Sequence, residues 1–230
     1  MKRSLILLAF NEIEAAPKII DKIPTDCADE VIAIDGGSKD GTIDFLKSKG
    51  LNVLVQEKRG RGVAFQMAAE RAKGESIVLF SLDGNEDPND IPKLFKAIED
   101  GADIAIASRM MKGAFNEEDV HWFRLRKWVN QAFTLIANVL WNRGPYVTDT
   151  INGFRGFTKK AFKQIQPDAD GFVIEYQMSI RGMKKGLKIV EIPTREGRRL
   201  GGKSTATALP TGLIFIRQLF RELKVGNNFN

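Results

Sequence analysis

The 230-residue chain predicts an α/β fold, a mostly parallel central sheet with helices on both faces, and three observations carry that prediction. Short apolar runs alternate with segments of helical period. The runs are apolar almost throughout, as in strands buried on both faces. No internal repeat or low-complexity linker divides the chain, and 43% hydrophobic against 28% charged residues suffices for one substantial core.

Taken in order, residues 4–9 form a first strand, because the run is too short for a signal peptide and Asn11-Glu12 ends it. A helix is expected over 12–23, a second strand over 31–35, a helix over 41–49 and a third strand over 51–55. The rhythm continues with a helix over 63–73, a strand over 77–80, a helix from Pro88 over 88–99 and a strand over 103–107. It then changes to a long amphipathic segment, 120–141, followed by mixed strand and helix. A glycine-rich basic loop, 195–207, precedes a last helix over 209–225 in which Leu213, Ile216 and Phe220 alternate with Arg217, Arg221 and Lys224. That pattern is compatible with a membrane surface, and equally with packing on its own domain or on a second subunit. The expected division is one domain over 1–208, with halves meeting near residue 108, and a helical tail over 209–230.

Charge and cysteine usage narrow the partners. A net charge of +6 and a pI near 9.4 suit anionic partners. A single cysteine, Cys27, excludes an internal disulfide and a cysteine metal cluster, consistent with a reducing compartment, so the cytoplasm is the expected location. No apolar stretch approaches the length of a membrane span.

The chemistry concentrates where strands end. Ser81-Leu82-Asp83-Gly84-Asn85 leaves the fourth strand, and oxygen donors at the alternate positions Ser81, Asp83 and Asn85 could face one hard cation, Mg2+ or Mn2+. A polar turn capped by Pro88 is the competing structural explanation. Asp35 stands at the tip of the second strand, before Gly36-Gly37, where a carboxylate can accept hydrogen bonds from a base or ribose. Ser38 and Asp40 are expected as helix caps. Arg59-Gly60-Arg61-Gly62 opens the next helix and suits a phosphate.

In this order the motifs resemble the inverting glycosyltransferases of family 2, most closely the dolichol-phosphate mannose synthase-like branch, over nearly the whole chain. Phe10-Asn11-Glu12 is similar to the family's first-strand nucleotide edge, and residues 34–42 to V-D-D-G-S-x-D-G-T, with Gly36 in place of the second acid. Arg59 to Ala64 resembles G-x-G-x-A, and Ser81-Leu82-Asp83 occupies the D-x-D position with serine first. Ser108-Arg109, the segment Asp149-Thr150-Ile151-Asn152-Gly153-Phe154-Arg155, Glu191-Ile192-Pro193, and the run from Arg199 to Ser204 complete the likeness.

The resemblance implies a GT-A, Rossmann-like fold and metal-dependent transfer of a hexose, mannose or glucose, from a GDP- or UDP-sugar to a polyprenyl phosphate or, alternatively, to a glycan or small-metabolite hydroxyl. It gives Phe10, Asn11, Glu12, Asp35, Gly60, Arg61, Gly62, Asp83, Arg199, Lys203 and Ser204 to the donor, and Arg109, Arg126 and Arg155 to the acceptor. Asp83 with Asn85 would hold the metal. A hydroxyl acceptor needs a general base, for which Asp149 and Glu175 are the candidates, whereas a lipid phosphate is already a nucleophile and needs mainly positioning. His121, beside Trp122, is expected to serve packing or the surface. A sugar-phosphate nucleotidyltransferase would carry a G-x-G-T-R-type loop after the first strand, where this chain has Phe10-Asn11-Glu12. A basic nucleic-acid-binding module would leave Asp83, Asp149 and Glu175 without purpose, so no nucleic acid is expected.

Overall fold

The computed structural model describes residues 1–120, 124–201 and 208–229. In it β1 (Arg3–Ala9) leads through α1 (Ala16–Ile19) to β2 (Glu30–Asp35), α2 (Thr42–Ser48), β3 (Asn52–Val55), α3 (Arg61–Arg71), β4 (Ser76–Ser81), α4 (Ile91–Glu99) and β5 (Ile104–Ser108). There follow α5 (Leu125–Trp141), β6 (Arg155–Thr158), α6 (Lys159–Ile165), α7 (Ile174–Lys184), β7 (Ile189–Pro193) and α8 (Ala208–Val225). The five expected strands begin and end within one residue of the predicted limits.

Alternate side chains of each strand enter two separate cores, because successive Cβ atoms point to opposite faces of a sheet. Ile6, Leu8, Ile32 and Ile34 pack with Phe65 of α3, Ile165 of α6, Tyr176 of α7 and Phe215 of α8. Leu5, Leu7 and Ala33 pack on the other face with Leu46 of α2 and Leu94, Phe95 and Ile98 of α4. Both faces being covered is what allows the strands to be apolar throughout.

The sheet has seven strands in the order β3-β2-β1-β4-β6-β5-β7. β1 pairs in parallel with β2 and β4, and β5 in parallel with β7. β6 alone runs antiparallel, inserted between β4 and β5. The two halves expected to meet near residue 108 therefore share one sheet rather than abutting.

Two helices depart from expectation. The helix expected over 12–23 shrinks to α1 and a 3-10 turn, Ile20–Lys22. Asn11 enters in the left-handed region at φ 54°, and Glu12 O accepts from both Ala15 N and Ala16 N, so the chain turns tightly before Pro17 can occupy a first helical turn. α5 begins at Leu125, five residues after its expected start at 120. No helix of the described residues is long and apolar enough to cross a membrane.

Candidate active site

The carboxyl ends of β1, β2 and β4 open into a cleft of about 150 Å³, lined by Phe10, Glu12, Gly36, Gln56, Arg59, Gly60, Arg61, Ser81, Asp83, Phe172 and Arg199. One wall is built around Phe10. The Arg59 guanidinium carbon lies 4.1 Å from the Phe10 ring centroid, a cation–π contact. A Cβ on Gly36 would come within 2.9 Å of Phe10 Cδ2, so glycine at this position makes room for the ring.

Several residues assigned to the donor instead hold this wall together. Asp35 is fully buried; its Oδ1 accepts from Gly37 N at 2.8 Å and Ser38 N at 2.6 Å, and its Oδ2 from Ser38 Oγ at 2.7 Å. The carboxylate, expected at the ligand, has its oxygens engaged in closing its own turn, and Asp40, one residue before the N-cap Gly41, accepts from Thr42 N and Oγ1. Asn11 ties the loops after β1 and β2, donating from its backbone to Ser38 Oγ and accepting from Lys39 N. The amide of Gly62 donates to Asp170 O at 2.8 Å, and a Cβ there would collide with Ala169 O. Gly62 is required for close packing of α3 on the 169–170 segment. Gly60 does line the cleft, but its amide already donates to Gln56 Oε1.

The turn after β4 gathers Glu12, Asp83 and Arg199. Gly84, at φ 77°, packs so closely on Leu200 that a Cβ would lie 2.6 Å from it. Leu200 N donates to Asp83 O and Gly197 N to Asn85 O, fastening the 197–200 segment over the turn. That fastening delivers Arg199, whose Nη1 donates to Asp83 Oδ2 at 2.6 Å and whose Nη2 donates to Glu12 Oε1. Burial pushes the Glu12 carboxyl up to about 7 against the opposing pull of Arg199, and its Oε2 has no partner among the described residues. Glu86, buried beside Asp83 and accepting from Ser81 N at 2.8 Å, is pushed up to about 8, first by burial and then by the Asp83 charge.

The residues present fit a divalent cation of modest protein coordination. Among the described residues no three histidine, cysteine, aspartate or glutamate side chains gather round a common point. Asp83 Oδ1, however, accepts only a 3.4 Å contact from Asn85 N, and Asn85 Oδ1 is buried with no hydrogen-bond partner among the described residues. Two hard oxygens at alternate positions are thus left open, and the rest of a coordination shell suits phosphate oxygens. Ser81 contributes no acid; its Oγ faces Arg61 Nη1 at 3.5 Å.

Outside the lining of this cleft, Arg109 pairs bidentately with Asp149, Nε to Oδ2 at 2.7 Å and Nη2 to Oδ1 at 3.1 Å, and lies 3.1 Å from Glu196. Asp149 also accepts from the Arg109, Ile151 and Asn152 amides. Burial alone would raise its carboxyl, but Arg109 and these amides hold it below the ordinary range. A carboxylate so engaged is a poor proton acceptor. Glu175, at the start of α7, accepts from Arg61 Nε through Oε1, while its buried Oε2 has no described partner.

Arg155, expected at the acceptor, is engaged inside the fold. It is fully buried, its guanidinium donating to Asn152 O, Thr150 O, Glu175 O and Ser179 Oγ, and burial lowers it to about 10. Arg126 is also displaced from the role expected of it: it sits on α5, exposed and 3.8 Å from Glu117 and Glu118, and does not line the cleft. Lys203, Ser204 and His121 lie outside the described residues. Sequence reasoning missed Glu86 and Glu196, the second accepting from Asn85 Nδ2 at 3.1 Å. Glu86, three residues past Asp83, was within reach of a turn argument; Glu196 gave no local signal.

The family model for Glycosyl transferase family 2 matches residues 4–166. Among curated proteins, the chain is 29% identical over 223 residues to glycosyltransferase AglJ of Haloferax volcanii, covering 95% of this chain and 71% of that one. It is 27% identical to the dolichol-phosphate mannosyltransferase of Pyrococcus furiosus, covering 97% of this chain but 64% of that longer protein. With the undecaprenyl-phosphate mannosyltransferase of Micrococcus luteus the identity is 29%, over 87% and 86% of the two chains. Among solved structures, glucosyl-3-phosphoglycerate synthase from Mycobacterium tuberculosis, in complex with Mn2+ and UDP-glucose, superposes with a TM-score of 0.70 at 20% identity, over all of this chain and 80% of that one. A likeness at that identity speaks for the shared GT-A fold.

Proposed function

The chain belongs to glycosyl transferase family 2, and on that premise we propose that it transfers a hexose, mannose or glucose, from a GDP- or UDP-sugar to a polyprenyl phosphate at the cytoplasmic face of a membrane. The observation that carries the acceptor is the state of Asp149. Paired with Arg109 and accepting three amides, it is held ionised and occupied, so the site favours an acceptor that arrives already anionic.

The chain's own groups divide the work. Phe10 and Arg59 offer an aromatic and cationic surface to the nucleoside, with Gly36 leaving the space. Arg61 and Arg199 face the cleft as cations toward the departing diphosphate, and in this reading Arg109, held by Asp149 and Glu196, draws the acceptor phosphate. The acceptor oxygen displaces the nucleoside diphosphate at the anomeric carbon, which inverts its configuration. Asp83 and Asn85 would hold Mg2+ or Mn2+, which when bound neutralises charge on the leaving diphosphate. Lys203 and Ser204 would join Arg199 on the same oxygens. The 1–208 region is the catalytic unit in this reading and 209–230 its appended helix.

A second reading has one observation in its favour: Glu175 Oε2 is buried without a described partner, a free carboxylate oxygen that could take a proton from a hydroxyl acceptor. The two are separated by presenting the purified enzyme, with Mn2+ and each GDP- or UDP-hexose, with a short polyprenyl phosphate in detergent and with 3-phosphoglycerate. Transfer to the lipid phosphate is expected. Turnover with the soluble hydroxyl acceptor alone would overturn the lipid reading, and Glu175→Gln would then abolish activity.

A further inference from the structure

The segment that follows β7 holds Asn85 at two points with two consecutive residues. Gly197 N donates to Asn85 O at 2.8 Å, and Glu196 Oε1 accepts from Asn85 Nδ2 at 3.1 Å. The segment is itself pinned from the other side: Phe115 N donates to Thr194 O and Glu196 N donates to Phe115 O, both at 2.9 Å. Thr194 Oγ1 adds a bond to the buried Asp90 carboxylate at 2.6 Å. With its own amide and its neighbours tied down, residue 196 has little freedom, and its side chain is only 14% exposed.

A carboxamide carries a donor end and an acceptor end of almost equal size, so what it faces decides which way it lies. Here the decision is passed along a row of groups. Arg109 has donors only; its Nε and Nη2 are committed to Asp149, and its Nη1 lies 3.1 Å from Glu196 Oε2. Burial pushes the Glu196 carboxyl up, and the Arg109 charge opposes that rise in favour of the ionised form. An ionised carboxylate offers acceptors only, so it meets Asn85 through Nδ2. Asn85 Oδ1 is left at the other end of the amide, buried and with no hydrogen-bond partner among the described residues. Were the amide reversed, oxygen would face oxygen at Glu196, and an NH2 group, which no cation accepts as a ligand, would stand where Oδ1 now does.

We infer that Glu196 is a positioning residue for the metal site: it fixes the Asn85 amide so that oxygen, and not nitrogen, is offered to a divalent cation, without being a ligand itself. The inference rests on the reading of Asp83 and Asn85 as the pair that holds the metal. It gives a purpose to an acid that lies far from both in sequence and outside every motif of the site.

An isosteric exchange tests it. In Glu196→Gln the new carbonyl turns to Arg109 and the new NH2 to Asn85, which must then reverse and offer nitrogen to the cation. Mn2+ binding, followed by electron paramagnetic resonance on the protein alone and with UDP or GDP added, needs no turnover. Affinity is expected to fall about tenfold, with the thermal midpoint of the metal-free protein little changed. The same exchange made in an Asn85→Asp protein should cost nothing, because an aspartate presents oxygen whichever way it turns and the new NH2 finds an acceptor. No loss in the Asn85 protein, or an equal loss in both, would overturn the role of Glu196. If the parent takes up no Mn2+, or Asn85→Ala leaves its affinity unchanged, the metal-holding pair itself fails, and the inference with it.

Discussion

Two clusters of the candidate site, Glu12 with Asp83 and Asn85 on one hand and Asp149 with Arg155 on the other, treat polar groups in opposite ways. In the first, Glu12 Oε2 and Asn85 Oδ1 are buried without described partners, and Glu12 and the adjoining Glu86 are pushed well above the ordinary carboxylate range. In the second, Asp149 accepts from the Arg109, Ile151 and Asn152 amides and from two guanidinium nitrogens of Arg109, and Arg155 donates to four acceptors. Saturated groups form scaffold; groups left short of partners stand where a ligand supplies the missing bonds, because a buried polar atom without a partner costs free energy that binding recovers.

The contrast breaks most visibly at Arg155. Arg155→Ala strands four buried acceptors and is expected to cost about 3–5 kcal/mol in urea denaturation, with turnover per folded molecule retained. Arg155→Lys should recover only part, since one ammonium cannot span the same fork. If turnover falls without a change in stability, Arg155 belongs to the reaction and the contrast fails.

Asp83→Ala is the converse case. Turnover should drop about 100- to 1000-fold, and Mn2+ binding should weaken, with stability moved by no more than about 1 kcal/mol. Metal-dependent turnover that survives the change removes Asp83 from the site.

The smallest effect sharpens the comparison by pH. In metal-free protein the folded state holds the Glu12 proton more tightly than the unfolded chain, where its carboxyl titrates near 4.5. Stability should therefore fall as pH rises from about 4.5 to about 7, by roughly 1–3 kcal/mol from this group. Glu12→Gln should flatten that part of the profile, and an unchanged slope would assign it to other acids such as Glu86.

Strand positions were legible because each is a short apolar run closed by polar or glycine residues. Topology was less so. Arg155-Gly156-Phe157-Thr158 reads locally as part of a binding motif, and nothing within it announces an antiparallel strand between partners far away in sequence. Site residues divided along the same line. Asp83 and Arg199 could be reached because their motif spacings are local, and the structure brings them together at 2.6 Å. The burial of Arg155 and the internal turn of Asp35 depend on which backbone carbonyls and amides surround them, information that only the folded chain carries.

The insertion of β6 also governs how the molecule must be made. During synthesis β4 and β5 are complete long before residues 155–158 leave the ribosome, and until then each has an open edge where the other half of the sheet should begin. Closing the sheet requires a contact across a long stretch of chain, an entropic delay of the kind that slows folding. A nascent chain halted before residue 155 leaves one edge of β4 and both edges of β5 unpaired.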